Sequence, residues 1–430
     1  MRRWLFAPLL ALTCVFPLAL RGDDTTIEVK NAPNDAAVEK AIAAAVDRLL
    51  HNQEIYVQDP PVGGLPDAQL KEWQAKERAR LEEIRAKSKK KGAREWPYEG
   101  VYRIRPDGRI PPGYRVGGTA IVCEALLEAP GADKKRREAL ERGIGFMLEM
   151  ISEDEGLAPR KQTTYDVRGW GQAYALKFFL RALETDVVKS RKLRKGMEVA
   201  VPHLISCLEM GQVRGGGWNY AGRGISPFMT GSTLMALYHA REAGYDVPTE
   251  MVESALDALE GARSESMAYA YSGRLRDENE AMEGSSARSA IAELVLFQAG
   301  RSDVDKLRLA VDGFFNERNW NELLKRKSQQ GTHVAPYGVA PYYFFFGHTY
   351  AALAAEHLPE AERAGYREKM REVLWRTIEG EGAWNDRIFP RPESYSTAMS
   401  LLSLLAKDLP AVKAWSKEPK KAGKKKGVPL

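Results

Sequence analysis

The chain has 430 residues, 44% of them apolar and 28% charged, as expected of a globular protein with a sizeable core, and a formal net charge of +6. That charge sits at the ends. The first 22 residues hold three arginines, and the last 14 hold six lysines against one glutamate. The body between them is therefore near −2, which excludes a nucleic-acid surface built as a basic patch on the fold. Beyond the N-terminal segment only Cys123 and Cys207 remain, which excludes a disulfide scaffold and a Cys-rich zinc module.

Residues 1–22 read as an export signal: Arg2-Arg3, an apolar run from Trp4 to Leu20, then Arg21-Gly22. The expected location is secreted or periplasmic. Left uncleaved, the segment would be a membrane anchor. Residues 23–416 form one domain, and the lysine-rich 417–430 reads as a disordered tail, the other possible membrane contact.

From Asp35 onward, two kinds of helix take turns. "AAVEKAIAAAVDRLLHN" carries Val38, Ile42, Val46 and Leu49 on one face. One-sided helices recur near 133–151, 188–210, 248–262, 302–327 and 360–379. Helices apolar nearly all round begin at "GGTAIVCEALLEA" and recur near 171–183, 231–243, 286–299, 348–357 and 396–406. Taking Thr119, Gly171, Ser232, Ser286, His348 and Ser396 as equivalent points gives six units about 48–62 residues apart, a repeat architecture. Short turns with Gly and Pro punctuation connect apolar to one-sided helices, and long loops connect them the other way. This predicts an all-α (α/α)6 toroid, six inner helices ringed by six outer ones, with its mouth on the long-loop face. The first long loop departs from the pattern over about 60–116. It holds a charged helix, "DAQLKEWQAKERARLEEIRAKSKKKG", and a strand-like alternation around Pro106-Asp107-Gly108 that predicts a small hairpin.

One stretch, "GQVRGGGWNY", places Gln212, Gly216 and Trp218 as Q-x-x-x-G-x-W at the end of an outer helix. It resembles the QW repeat of the squalene cyclase and protein prenyltransferase β-subunit superfamily, which implies a toroid and a structural role for the motif. "IEGEGAWND" keeps Gly382 and Trp384 but has Ile378 in the glutamine position. The family's chemistry does not follow. No inner-helix start holds the Asp-rich acid motif that cyclases use. His348 in "FFFGHTYAAL" resembles a prenyltransferase zinc ligand, but its partner helix "EGSSARSAIA" offers neither Asp nor Cys. The expectation is no metal and no cofactor.

The long loops collect aromatics with amide and charged partners, a pattern that suits a sugar ring stacked on its face and bonded at its edge. The candidate ligand-binding residues are Asp166, Arg168, Trp170, Asn219, Tyr220, His348 and Tyr395, with no catalytic assignment. With the family's catalytic groups missing, the function carried forward is a non-catalytic binding or scaffold protein for a glycan, lipid or protein. A carbohydrate-active enzyme with a Tyr/His/Arg/Asn site is the alternative, and an isoprenoid enzyme the third reading.

Overall fold

The computed structural model describes residues 26–62, 64–100, 108–159, 167–221, 224–274, 281–331, 333 and 335–418. The expected signal segment and nearly all of the basic tail lie outside them. Among the described residues, fourteen α-helices account for the fold. Six form a closed inner ring: α3 (Pro112–Glu128), α5 (Arg168–Leu183), α7 (Pro227–Glu242), α9 (Met282–Gln298), α12 (Tyr343–Ala355) and α14 (Glu393–Leu404). Each packs on the next in that order, and α14 packs back on α3. The outer layer is α1 (Asp35–Asn52), α4 (Lys134–Glu153), α6 (Arg191–Met210), α8 (Thr249–Glu260), the pair α10 (Val304–Phe314) and α11 (Glu317–Leu324), and α13 (Glu360–Trp375). This is the α/α toroid expected from the alternation.

Composition decides the layer. All thirteen residues of α12 are buried, so no face of it can be polar toward water. The outer α6 buries only Met197, Ala200, Val201, Leu204, Ile205, Cys207 and Leu208, a single stripe. Capping differs in the same way. Asn34, Asp133, Ser190, Asp303 and Asn316 close outer-helix N-termini with their side chains, whereas none of the six inner helices has a side-chain cap. The inner N-termini thus meet at the mouth with their amides unclosed.

Two local expectations are refined. The outer helix expected over 302–327 is two, because the carbonyl of Phe315 accepts from Ile27 N at 2.7 Å and Asn316 caps a fresh start. Of the hairpin region, residues 101–107 lie outside the described ones, and α3 already begins at Pro112. The charged excursion is α2 (Asp67–Lys91), laid over the last long loop: Trp73 packs edge-on against Phe389, and Gln74 donates to the Ile388 carbonyl at 3.0 Å. On the opposite, short-turn face the chain after α14 packs down through Trp415, which stacks on Tyr238 beneath the Arg241 guanidinium.

Candidate functional site

The mouth is built from one corner used repeatedly. Where α6 ends, the indole of Trp218 donates to the orphan carbonyl of Leu208 at 2.8 Å, and its backbone N–H goes to Thr230 Oγ1 on the inner α7 at 3.0 Å. Trp384 does the same with Leu374 at 3.0 Å and Thr397 at 3.1 Å. Trp96, after the excursion, does it with Leu49 at 2.7 Å and Thr119 at 3.0 Å. Tyr269 takes the place of tryptophan in a fourth unit, its N–H bonded to Ser285 Oγ at 2.6 Å. Each tryptophan ties an outer helix to the following inner one, whereas Tyr269 bonds α9 at both ends, its hydroxyl donating to Glu293. Two residues beyond each anchor stand Tyr98, Tyr220, Tyr271 and Asp386; the three tyrosines face one place, and Asp386 lies buried behind Tyr98.

That place is a cavity of about 380 Å3 lined by Tyr98, Tyr114, Tyr220, Tyr271, Tyr342 and, among others, His333 and Arg387. Its volume lies in the range of small-molecule sites. On one side the hydroxyls of Tyr220 and Tyr271 lie 2.5 Å apart, and Tyr271 Oη lies 3.1 Å from His333 Nε2. Partial burial lowers the His333 pKa, so its ring is neutral at pH 7 and Nε2 can accept. On the other side the Tyr98 hydroxyl donates to Asp386 Oδ2 at 2.8 Å. Asp386 is fully buried, and burial, the leading cause, pushes its pKa up to about 6. Arg387 donates to the carbonyls of Gly331 and Gln330, both at 3.0 Å, and so ties the segment carrying His333 to the Trp384 corner. Below the cavity the axis is filled: Trp170, Tyr174, Tyr395 and Phe346 pack together with Tyr350, whose hydroxyl meets that of Tyr174 at 2.9 Å.

The candidates from sequence fall at three depths. Tyr220 and Asn219 are at the cavity, but Asn219 uses its amide within the corner, donating to Gly224 O at 2.6 Å and Ser272 Oγ at 2.9 Å. Trp170 and Tyr395 form the floor, Tyr395 with its ring 4.4 Å from that of Tyr98. Arg168 is buried beside them and donates to the Ala158 carbonyl at 2.7 Å. His348 is not at the mouth. It lies in the core, Nδ1 bonded to the Phe344 carbonyl at 2.7 Å and Nε2 accepting from the Trp320 indole at 3.1 Å, with burial depressing its pKa to about 4. Asp166 lies outside the described residues. Gln212 donates to the Met251 carbonyl at 2.7 Å, bridging α6 to α8. Gly216 and Gly382 sit at positive φ where a Cβ would come 2.0 Å from Ser254 O and 2.4 Å from Ala41 O, so each corner presses directly on the next outer helix. Sequence reasoning missed Tyr98, Tyr114, His333 and Arg387. The recurrence of Trp-x-Tyr, Tyr-x-Tyr and Trp-x-Asp in "WPY", "WNY", "YAY" and "WND" was the available signal for Tyr98.

No protein-family model matches the sequence, and no curated protein matches it. Among solved structures, the chain is similar to an inactive variant of the α-1,6-mannanase GH76A of Salegentibacter sp. HEL1_6 in complex with α-1,6-mannotriose. The TM-score is 0.50 at 10% identity, covering 86% of this chain and 98% of that one. D-mannose isomerase aligns at TM-score 0.47 and 14% identity, over 88% and 100% of the two chains. A possible GH105 member from Salmonella enterica serovar Paratyphi A aligns at 0.43 and 11%, over 87% and 96%. At such identities the likeness shows the fold alone. It still corrects the relationship expected from the Q-x-x-x-G-x-W stretch: the neighbour aligned at 0.50 is an α-1,6-mannanase, not a squalene cyclase or prenyltransferase. The physical reason is that the corner is a packing device, open to any toroid whose outer helices end against the next pair. The scaffold reading is corrected with it, because the mouth is a cavity with converging phenol, imidazole and guanidinium groups on a fold shared with a glycan-bound mannanase.

Proposed function

We propose that the chain is a carbohydrate-active enzyme that cleaves an acidic glycan by β-elimination in the tyrosine-lined mouth. The observation that carries this is the relay Tyr220–Tyr271–His333 along the cavity wall. A neutral imidazole at its far end lets Tyr220 take a proton from substrate while its own moves to Tyr271 and that of Tyr271 to His333, a general-base chain. Elimination fits the described lining better than hydrolysis does. Hydrolysis calls for two carboxyl groups flanking the bond, and no described lining residue is a carboxylate. Abstraction of a carbon-bound proton instead calls for positive charge near a uronate carboxylate. Arg387 supplies one such charge, and the uncapped inner-helix N-termini add a diffuse positive potential. The aromatic walls suit stacking on sugar faces. An exported location, as the N-terminal segment suggests, would bring the enzyme to polymeric glycans.

The test is incubation with acidic polysaccharides beside neutral mannans, reading both new reducing ends and the ultraviolet absorbance of an unsaturated uronate. Both signals from an acidic polymer, lost in Tyr271→Phe, are expected. Reducing ends without the unsaturated product would make the enzyme a hydrolase. Neither signal from any glycan would sink the reading.

A further inference from the structure

Elimination also requires a proton for the departing oxygen, and a relay that ends on a neutral imidazole removes protons rather than supplying them. A second hydroxyl group on the cavity wall is placed to do so. Tyr98 lines the cavity, and its hydroxyl meets Asp386 Oδ2 at 2.8 Å. Asp386 is held from three sides: its N–H donates to Ser396 Oγ at 2.9 Å, Ser396 Oγ donates back to Oδ1 at 3.1 Å, and its carbonyl accepts from Ser328 N at 2.7 Å. Nothing in that cage requires the carboxyl to move when its proton does. The Tyr98 ring is fixed as well, between Tyr395 at 4.4 Å and Tyr114 at 5.4 Å.

We propose that Tyr98 is the catalytic acid of this site and that Asp386, acting through it, is the positioning residue that resupplies its proton. This rests on the elimination reading above. In the step, the substrate C–H bond breaks as its proton passes to Tyr220 and along the relay to His333. The freed electron pair forms the ring C=C bond, and the glycosidic C–O bond breaks. With its carboxyl protonated on Oδ2, Asp386 donates to Tyr98 Oη, the reverse of the bond made to the carboxylate; the departing oxygen then takes the Tyr98 proton, and the Tyr98 oxygen takes the proton of the Asp386 carboxyl. The products are an unsaturated glycan end and a free hydroxyl. The enzyme is left with an imidazolium and a carboxylate, which reset by proton exchange with water.

The groups facing Asp386 bear on when it holds a proton. Arg387 beside it favours the carboxylate, and so do the hydrogen bonds from Tyr98 and Ser396, yet burial outweighs them. Tyr395 from α14 stands on the same side. Glu99 and Tyr114 face the neighbouring Arg387, and Glu99 lies 3.9 Å from Arg391, which is also paired with Glu54 at 2.9 Å. A buried carboxyl that keeps its proton up to about pH 6, opposite an imidazole whose pKa burial lowers, separates acid from base by environment.

The test is the pH dependence of kcat/KM on whichever acidic glycan the enzyme cleaves, for wild type, Asp386→Asn and Tyr98→Phe. Wild-type activity should fall as pH rises through about 6, where Asp386 loses its proton. Asp386→Asn should lower kcat about 100-fold or more with KM little changed, and its residual activity should lack that alkaline limb. Tyr98→Phe keeps the ring and its packing and should show the same loss, so it carries the test should the asparagine variant fold poorly. An unchanged alkaline limb in both variants, or a loss confined to KM, overturns the acid assignment alone. A wild type that cleaves no glycan overturns the elimination reading and this assignment with it.

Discussion

Residues 218–221 and 384–387 are two copies of one corner, and they differ where it matters. In both, an indole donates to the carbonyl ten residues back, Leu208 in one and Leu374 in the other. In both, an asparagine follows: Asn219 bonds Gly224 O and accepts from Ala221 N, and Asn385 bonds Phe389 O and accepts from Arg387 N. In both, a glycine presses on the next outer helix. The next residue is Tyr220 in the first copy and Asp386 in the second. The backbone corner is thus held by what the copies share, while the chemistry at the mouth is set by the position at which they diverge. Stability and activity should separate along the same line.

The largest effects should come from the shared tryptophans. Trp218 and Trp384 are both essentially buried, at 1% and 0% exposure. Trp218→Ala and Trp384→Ala should each cost roughly 3–5 kcal/mol, with an orphan carbonyl at the outer-helix end added to the lost ring. Thermal melts that place the two within a factor of two of each other would uphold the equivalence. A near-wild-type melt for either would mean its corner is not what joins the helix pairs.

Next come opposite signs at the divergent position. Burial holds the Asp386 pKa at about 6, above its ordinary value of 3.8. The folded state therefore binds the proton more tightly than the unfolded chain. That contribution is complete below the unfolded value and is lost as pH rises through about 6. A shift of about two units corresponds to about 3 kcal/mol at neutral pH. Asp386→Asn, which never ionises, should raise the melting temperature at pH 8 and leave it nearly unchanged at pH 3.5. An equal shift at both pH values would show that the carboxyl is not strained by its charge. The glycines follow in size. Gly216→Ala and Gly382→Ala place a side chain at positive φ against backbone, and each should lose more than about 1 kcal/mol by chemical denaturation.

The fold was legible because layers follow composition. The all-apolar helices could only be inner, the striped ones outer, and the Gly and Pro punctuation told the short-turn face from the mouth. The corner was legible only where it kept tryptophan and glycine. Trp96, displaced from α1 by the excursion, and Tyr269, which replaces the indole, make the same inner-helix hydroxyl bond with no Q-x-x-x-G-x-W around them. His348 was a misleading signal: a histidine at an apparent helix start. Its helix in fact begins five residues earlier, at Tyr343, so it lies more than a turn down the bundle among Phe314, Phe344 and Trp320. His333 and Arg387 could not be read from local pattern. Their place depends on a contact between two loops more than fifty residues apart, Arg387 on the Gln330 and Gly331 carbonyls.

The smallest stability effect should accompany one of the largest losses of activity, at the first copy's divergent residue. Tyr220→Phe removes a single hydroxyl from a half-wet cavity wall and keeps the ring against Phe228, 5.9 Å away. A hydrogen bond of this kind contributes about 1 kcal/mol net, so the melt should hardly move. If Tyr220 opens the relay, however, its hydroxyl is the group that meets the substrate proton, and turnover should fall by about 100-fold or more. The alkaline limb assigned to Asp386 should survive in whatever activity remains, since Tyr98 and its carboxyl are untouched. That combination, an unchanged melt and lost turnover with the alkaline limb intact, is one that neither a packing role nor a purely stacking role for Tyr220 produces. A structural role carried by the hydroxyl would lower the melt, and a role carried by the ring alone, packing or stacking, would leave phenylalanine as active as tyrosine. Either result would return Tyr220 to the shared scaffold of the two corners and leave His333 without a hydroxyl through which to act.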